Sequence, residues 1–229
     1  CVHVCTPHYL HAPMVLEALN ADINVLCEKP LAIRQEELNM ILEAEERSKG
    51  ILGVCHQNRY NKTNLYVKSL IENDENRDKF TGSACVVWNR DEAYYRSGEW
   101  RGKWETEGGG VLINQALHTL DLMQWLLGEP GQVTATTANF SLKGVIEVED
   151  TAVAFFTDGS DFSFFASNAS RDNMSVEITL KKPGTEIKIM SDWVAVNGKT
   201  VNFDVINEYN VKDCYGSGHQ GLMEDFYDC

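Results

Sequence analysis

Three short apolar runs, at residues 1–5, 23–27 and 51–55, alternate with two stretches of helical period in the first sixty residues. In 8–20 the apolar residues Leu10, Met14, Val15, Ala18 and Leu19 recur at helical spacing. In 35–48, Leu38, Ile41 and Leu42 do the same, and Gly50 stops the pattern. Strands joined through helices are expected to run parallel, because a crossover returns the chain to the end it left. This part is therefore read as a parallel sheet with crossover helices.

The texture changes after Asn73. One helix is expected over 62–73, a strand over 82–90, a polar aromatic loop over 91–110 and a helix over 111–127, ended by Gly128 and Pro130. Short β-type runs then follow at 131–140, 150–157, 161–169, 174–181, 184–190 and 193–203. Turn pairs such as Asp158-Gly159 and Asn197-Gly198 suggest antiparallel hairpins. A last helix begins near His219. The expected class is α/β plus α+β, divided into segments 1–60 and 61–229.

Composition excludes several kinds of partner. With 20 Lys and Arg against 34 Asp and Glu, the net charge is −14, so neither nucleic acid nor an anionic membrane finds the basic surface it needs. No apolar run approaches the ~20 residues that span a bilayer. Seven cysteines are dispersed with no C-x-x-C pair, which reads as reduced core thiols of a cytoplasmic protein rather than a disulfide framework or a metal site.

Ligands of open parallel sheets bind beyond the carboxyl ends of the strands. Here the first strand ends in Thr6-Pro7, with His8 and His11 following, and the second in Glu28-Lys29-Pro30. A lysine at the end of a buried strand, between Glu and Pro, is poorly explained by packing; a solvated loop salt bridge is the competing reading. On the helix expected at 111–127, a turn of ~100° per residue puts Asn114, His118, Asp121 and Trp125 on one narrow stripe. The other faces are apolar, so the helix should be buried, and its polar groups then need partners or a role. His118 is read as catalytic, and Asp121 as orienting it or capping nearby backbone. The loop 91–107 carries Tyr94, Tyr95, Arg96, Trp100, Arg101, Lys103 and Trp104, whose rings and cationic forks suit a sugar; packing plugs are the alternative. Trp88 and Trp193 are expected in the core. The string Gly216-Ser217-Gly218-His219-Gln220-Gly221 is not read as a phosphate-binding fingerprint, because no apolar strand precedes it.

Taken in order, Thr6-Pro7-x-x-x-His11, Glu28-Lys29-Pro30, Asn58-Arg59-Tyr60-Asn61 and Gly108-Gly109-Gly110 leading to His118-x-x-Asp121 resemble the Gfo/Idh/MocA family of NAD(P)-dependent oxidoreductases. The resemblance runs along nearly the whole chain. It implies a truncated Rossmann-like parallel sheet in 1–60, the later part of a dinucleotide-binding domain, then an α+β substrate-binding and oligomerisation domain in 61–229. The Gly-rich turn that opens the family's cofactor domain is not in this sequence, and the expectation is a chain that is inactive by itself.

The implied reaction moves a hydride between NAD or NADP and a secondary alcohol of a sugar, amino sugar or cyclic polyol. His118 is then the general base and Lys29 the group that steadies alkoxide charge. Thr6, Pro7, His11, Glu28, Lys29, Pro30 and Asn58 face the cofactor, and Lys29, Asn114, His118, Arg101, Trp104 and Tyr95 face the substrate. Many members have Asp where this chain has Asn114, and an amide cannot relay a proton, so His118 carries the base role alone. The resemblance further implies a cis Lys29–Pro30 bond and a homodimer or homotetramer. An NAD-dependent glycosidase of the same fold and a non-catalytic sugar- or nucleotide-sensing regulator remain open alternatives.

Overall fold

The alternation of the first sixty residues builds a three-stranded parallel sheet. In the computed structural model, which describes residues 1–204 and 217–229, β1 (Val2–Val4), β2 (Val25–Cys27) and β3 (Leu52–Val54) lie side by side. Val4, Cys27 and Val54 stand level across the three strands. The crossovers are α1 (His11–Asn20) and α2 (Gln35–Arg47). Their apolar stripes close over one sheet face, where Val15, Leu19, Val25, Cys27 and Ile41 are all buried. Glu43, Glu45 and Glu46 lie on the solvent side of α2.

The second layer is an eight-stranded sheet. In chain order come α3 (Lys62–Glu72), β4 (Thr81–Val87), α4 (Glu92–Arg96), α5 (Leu117–Leu127), β5 (Gln132–Ala138), β6 (Thr151–Thr157), β7 (Phe162–Ser167), β8 (Glu177–Lys182), β9 (Thr185–Ile189), β10 (Trp193–Val196), β11 (Lys199–Asn202) and α6 (Gly218–Asp228). The spatial order is β11-β10-β9-β8-β4-β7-β6-β5. Every neighbouring pair is antiparallel except β4 and β7, which run parallel. Period-2 alternation decides the faces. Ala152, Ala154, Phe162, Phe164, Ile178 and Leu180 point to α3 and α5 and form the main core with Val67, Ile71, Met123 and Leu126. Val133, Val153, Phe155 and Phe165 point the other way and are exposed.

The sequence places α6 far from the parallel sheet, yet it packs on that sheet's second face. Leu222 and Phe226 meet Leu26 and Cys55 there, and the Phe226 ring lies where a side chain on Gly53 would stand. Tyr60 donates to Asp225 at 2.6 Å.

Three expectations change. The helix expected from 111 begins at Leu117, and a short helix, α4, interrupts the loop 91–107. The thiols are not uniformly buried: Cys27 and Cys55 are, but Cys1, Cys5 and Cys229 are exposed. All six described cysteines are free. Cys214 and Gly216 lie outside the described residues. No helix among those described is long and apolar enough to cross a membrane.

Phe164 is 2% exposed at the centre of the larger core. Phe164→Ala is expected to lower unfolding stability by about 3–5 kcal/mol, the usual cost of an emptied aromatic site; urea titration followed by tryptophan fluorescence measures it.

Candidate functional site

The site grows from the segment that precedes α5. The Gly108–Gly110 stretch passes so close to the start of β6 that a Cβ on Gly110 would stand 1.8 Å from the Glu149 carbonyl oxygen. Gly108 has φ of +86°, open to glycine at little cost. The buried Glu149 carboxylate accepts from the amides of Gly110 at 3.0 Å and Leu112 at 3.1 Å, and its carbonyl accepts from Val111 at 3.1 Å. Between them and α5 the amides of Asn114 and Ala116 donate to the Gly110 and Val111 carbonyls, four and five residues back, so this stretch is an irregular turn and regular helix begins at Leu117. The expected stripe is broken accordingly: Asn114 sits in the turn, and only His118, Asp121 and Trp125 ride on α5.

Asn114 still meets the parallel sheet. Lys29 reaches from the end of β2 and donates through Nζ to the Asn114 carbonyl at 2.9 Å and to Oδ1 at 3.2 Å. The Asn114 amide donates to Glu107 Oε1 at 2.6 Å, and the Gly102 backbone N–H donates to Glu107 Oε2 at 2.5 Å. Glu107 is 1% exposed, and burial raises its carboxyl pKa. Burial also brings Lys29 down to about 8, against the opposing charges of Glu28 and Glu107. The Lys29–Pro30 bond is cis.

His118 faces the same cleft. Burial, then the charge of Lys29, takes its pKa down to about 3. Its Nε2 lies 3.4 Å from the Gln57 side-chain nitrogen, and its Nδ1 is buried without a partner among the described residues. Asp121 does not orient it. That carboxylate is held by Arg59, through Nε at 2.8 Å and Nη2 at 2.5 Å, with His56 at 3.5 Å. Trp125 lies under Lys68, whose Nζ is 5.0 Å from the ring centroid.

A cavity of about 1140 Å3 joins these groups, with Thr6, His11, Glu28, Lys29, Asn58, Arg101, Asn114 and His118 all in its walls. Several expected residues stand elsewhere. Pro7 and Pro30 are not in the walls, although the Pro30 and Thr6 carbonyls each lie 2.7 Å from a ring nitrogen of His11. Tyr95 is 4% exposed, packed on Leu142, Ile146 and Val148, with its hydroxyl accepting from Asn168. Tyr94, its neighbour, takes the place in the cavity wall. Trp104 is 56% exposed and donates to the Glu147 carbonyl at 3.1 Å, outside the cavity. Trp88, expected in the core, packs half-buried against the main core and also lines the cavity beneath Arg90.

Sequence reasoning missed Glu107, Gln57 and Arg90. An acid directly before three glycines was the available signal for Glu107, and the polar run 56–61 for Gln57. Their surroundings fit a ligand-binding cleft: Gln57 Oε1, Asn58 Oδ1, Asn61 Oδ1 and His118 Nδ1 are buried and unpaired among the described residues, and all four side chains line the cavity. Beside them, Glu28, Cys55 and His219 bring one ligand-type atom each within 4.8 Å of one another, although burial pushes the Cys55 thiol up to about 12.

Known proteins share this architecture. The model of the oxidoreductase family with an NAD-binding Rossmann fold matches residues 1–56, and that of the GFO/IDH/MocA C-terminal domain matches residues 65–186. The levoglucosan dehydrogenase of Pseudarthrobacter phenanthrenivorans is 28% identical over 141 residues, 61% of this chain and 36% of that protein. The WlbA dehydrogenase from Bordetella pertussis, solved in complex with NADH and UDP-GlcNAcA, is 33% identical with a TM-score of 0.75, over 81% of this chain and 57% of the other. The WlbA dehydrogenase of Chromobacterium violaceum, solved with the same two molecules, aligns over 98% of this chain and 67% of its own, at 27% identity and a TM-score of 0.81. The chain spans about half the length of the curated relatives it matches. Its parallel sheet falls within one family match and most of its large sheet within the other, so the chain belongs to the Gfo/Idh/MocA family.

Proposed function

We propose that this protein is an NAD(P)-dependent dehydrogenase that moves a hydride between the cofactor and a secondary alcohol of a sugar, amino sugar or cyclic polyol. The observation that carries the reading is the meeting of Lys29 and His118, 89 residues apart in sequence, in one cavity. One is a cation of lowered pKa and the other a histidine held neutral by burial. The relatives named as a levoglucosan dehydrogenase and as a WlbA dehydrogenase bound to NADH support it. In this reading residues 1–60 form the cofactor side and 61–229 the substrate side. The free state of all six described cysteines supports a place in the cytoplasm. The exposed apolar residues of β5, β6 and β7 support a homodimer or homotetramer.

Thr6, Glu28, Lys29 and Asn58 would hold the nicotinamide end of the cofactor, which supplies the hydride acceptor when bound. The substrate hydroxyl then lies against Lys29, whose ammonium draws charge onto the oxygen as the C–H bond breaks. His118 takes the hydroxyl proton at a ring nitrogen, and its neutrality makes that nitrogen available. Asn114 fixes the Lys29 ammonium, and Glu107 fixes the Asn114 amide so that its oxygen, not its nitrogen, faces the cation. Tyr94 and Trp100 flank the cavity and limit water.

His118→Ala in the intact protein should lower kcat by roughly 10²–10⁴, the scale of a lost general base, while NADH still quenches or enhances fluorescence on binding. A variant with wild-type kcat would remove His118 from the mechanism. The pH profile of alcohol oxidation gives a second check. His118 is already neutral above about 3, so kcat/KM should show no acid limb between about pH 5 and 7. Lys29 loses its proton near 8, so kcat/KM should fall as pH rises through that value. A limb near the ordinary histidine value would assign the base to a less buried group.

A further inference from the structure

The cavity of about 1140 Å3 exceeds the ~300–1,000 Å3 of ordinary small-molecule sites. Its walls continue past Lys29 and Asn114 to Tyr94, and beyond Tyr94 to Trp88 and Arg90 at the end of β4. Two arginines stand in this outer part. The Arg101 guanidinium lies 4.5 Å from the ring centroids of both Tyr94 and Trp100, and its Nη1 donates to the Tyr94 hydroxyl at 2.6 Å. The Arg90 guanidinium lies 5.1 Å from the centroids of Trp88 and Tyr94, its Nη1 donates to the Asn89 carbonyl at 2.7 Å, and its Nε is buried without a partner among the described residues. The Tyr94 ring thus stands beside both guanidinium groups.

Partly buried cations ordinarily find a carboxylate. This chain has 34 acidic residues against 20 basic ones, so carboxylates are in surplus. Among the described residues none of them comes within ion-pair distance of Arg90 or Arg101. Glu107, the acid whose field reaches Arg101, has its two oxygens engaged by Gly102 and Asn114. The aromatic rings stand within cation–π distance of both forks, and the counter-charge is left for a ligand to bring.

We propose that the substrate is a sugar bearing an oxyanion, phosphoryl or carboxyl, and that Arg90 and Arg101 grip this group while the reacting hydroxyl lies at Lys29 and His118. The second clause rests on the dehydrogenase reading; the oxyanion site stands on the two arginines. Planar guanidinium forks pair with either kind of oxyanion. A sugar phosphate or nucleotide-linked sugar would supply the first and a uronic acid the second.

Calorimetric titration of the intact protein with glucose, glucuronate, glucose 1-phosphate and UDP-glucose tests this, with and without NADH. At low ionic strength at least one anionic probe should bind tenfold or more tightly than glucose, and which of them does so distinguishes carboxyl from phosphoryl. That advantage should shrink several-fold in about 0.5 M NaCl and disappear in Arg90→Gln. Thermal melts verify folding of the variant. If Arg90→Gln does not fold, Arg90→Lys, which keeps the charge and loses the fork, should reduce the advantage several-fold. Equal affinity for all four probes, no binding of any anionic probe, or an advantage that survives both Arg90→Gln and Arg101→Gln overturns the proposal. Anion-dependent binding without NAD(P)-linked turnover of any probe leaves the oxyanion site standing and sinks the dehydrogenase reading. Turnover of glucose with no anion preference does the reverse.

Discussion

Two hydrogen bonds from Lys29 Nζ to Asn114 bridge 85 residues of sequence and join the end of the parallel sheet to the turn before α5. An ammonium leaves water at considerable cost unless oxygens receive it. Those oxygens belong to one residue, so the position of the cation depends on the position of that residue. Asn114 is in turn fixed by Glu107, and the turn that carries it by Glu149 from the start of β6. Each polar group in this series is buried or nearly so, and each has a partner of opposite character. Such a network holds its members in one arrangement, because any other leaves a donor or a charge unmet in a poorly solvated place. The two layers of the protein are therefore registered to one another at the site itself.

The same burial that makes the network rigid sets its protonation. Lys29 is moved toward neutrality and His118 is kept neutral by removal from water, with neighbouring charges adjusting the result. The two shifts leave a neutral imidazole and a lysine that is still mostly charged side by side at neutral pH.

The parallel sheet and the hairpin-rich second layer were legible in the sequence because period 3.6 and period 2 are local signals. His118 was legible too, as a polar residue on an apolar helix, and Lys29 as a charge at a buried strand end. The start of α5 was not. The turn before it is pinned by Glu149, which lies 37 residues away from Leu112 and has no local signature. Tyr95 and Trp104 were plausible sugar contacts by composition alone. Which of two adjacent tyrosines faces the cavity depends on α4, whose N-cap is the Asp91 side chain accepting from the Tyr94 amide at 2.9 Å. Asp121 was read as orienting His118 or capping nearby backbone, but Arg59, from the short helical turn at 57–60, has the stronger claim through two charged hydrogen bonds.

The return of α6 to the parallel sheet has a consequence for synthesis. Residues 218–228 cover a face built from residues 26 and 55, so that face stays open while the whole second layer is being translated. At ~5–20 residues per second on the ribosome, the nascent chain carries exposed Leu26 and Cys55 for many seconds before Leu222 and Phe226 emerge. Contacts of such long sequence separation also close late in folding. During that interval the uncovered sheet face is a surface for chaperones to shield, and a free thiol lies on it.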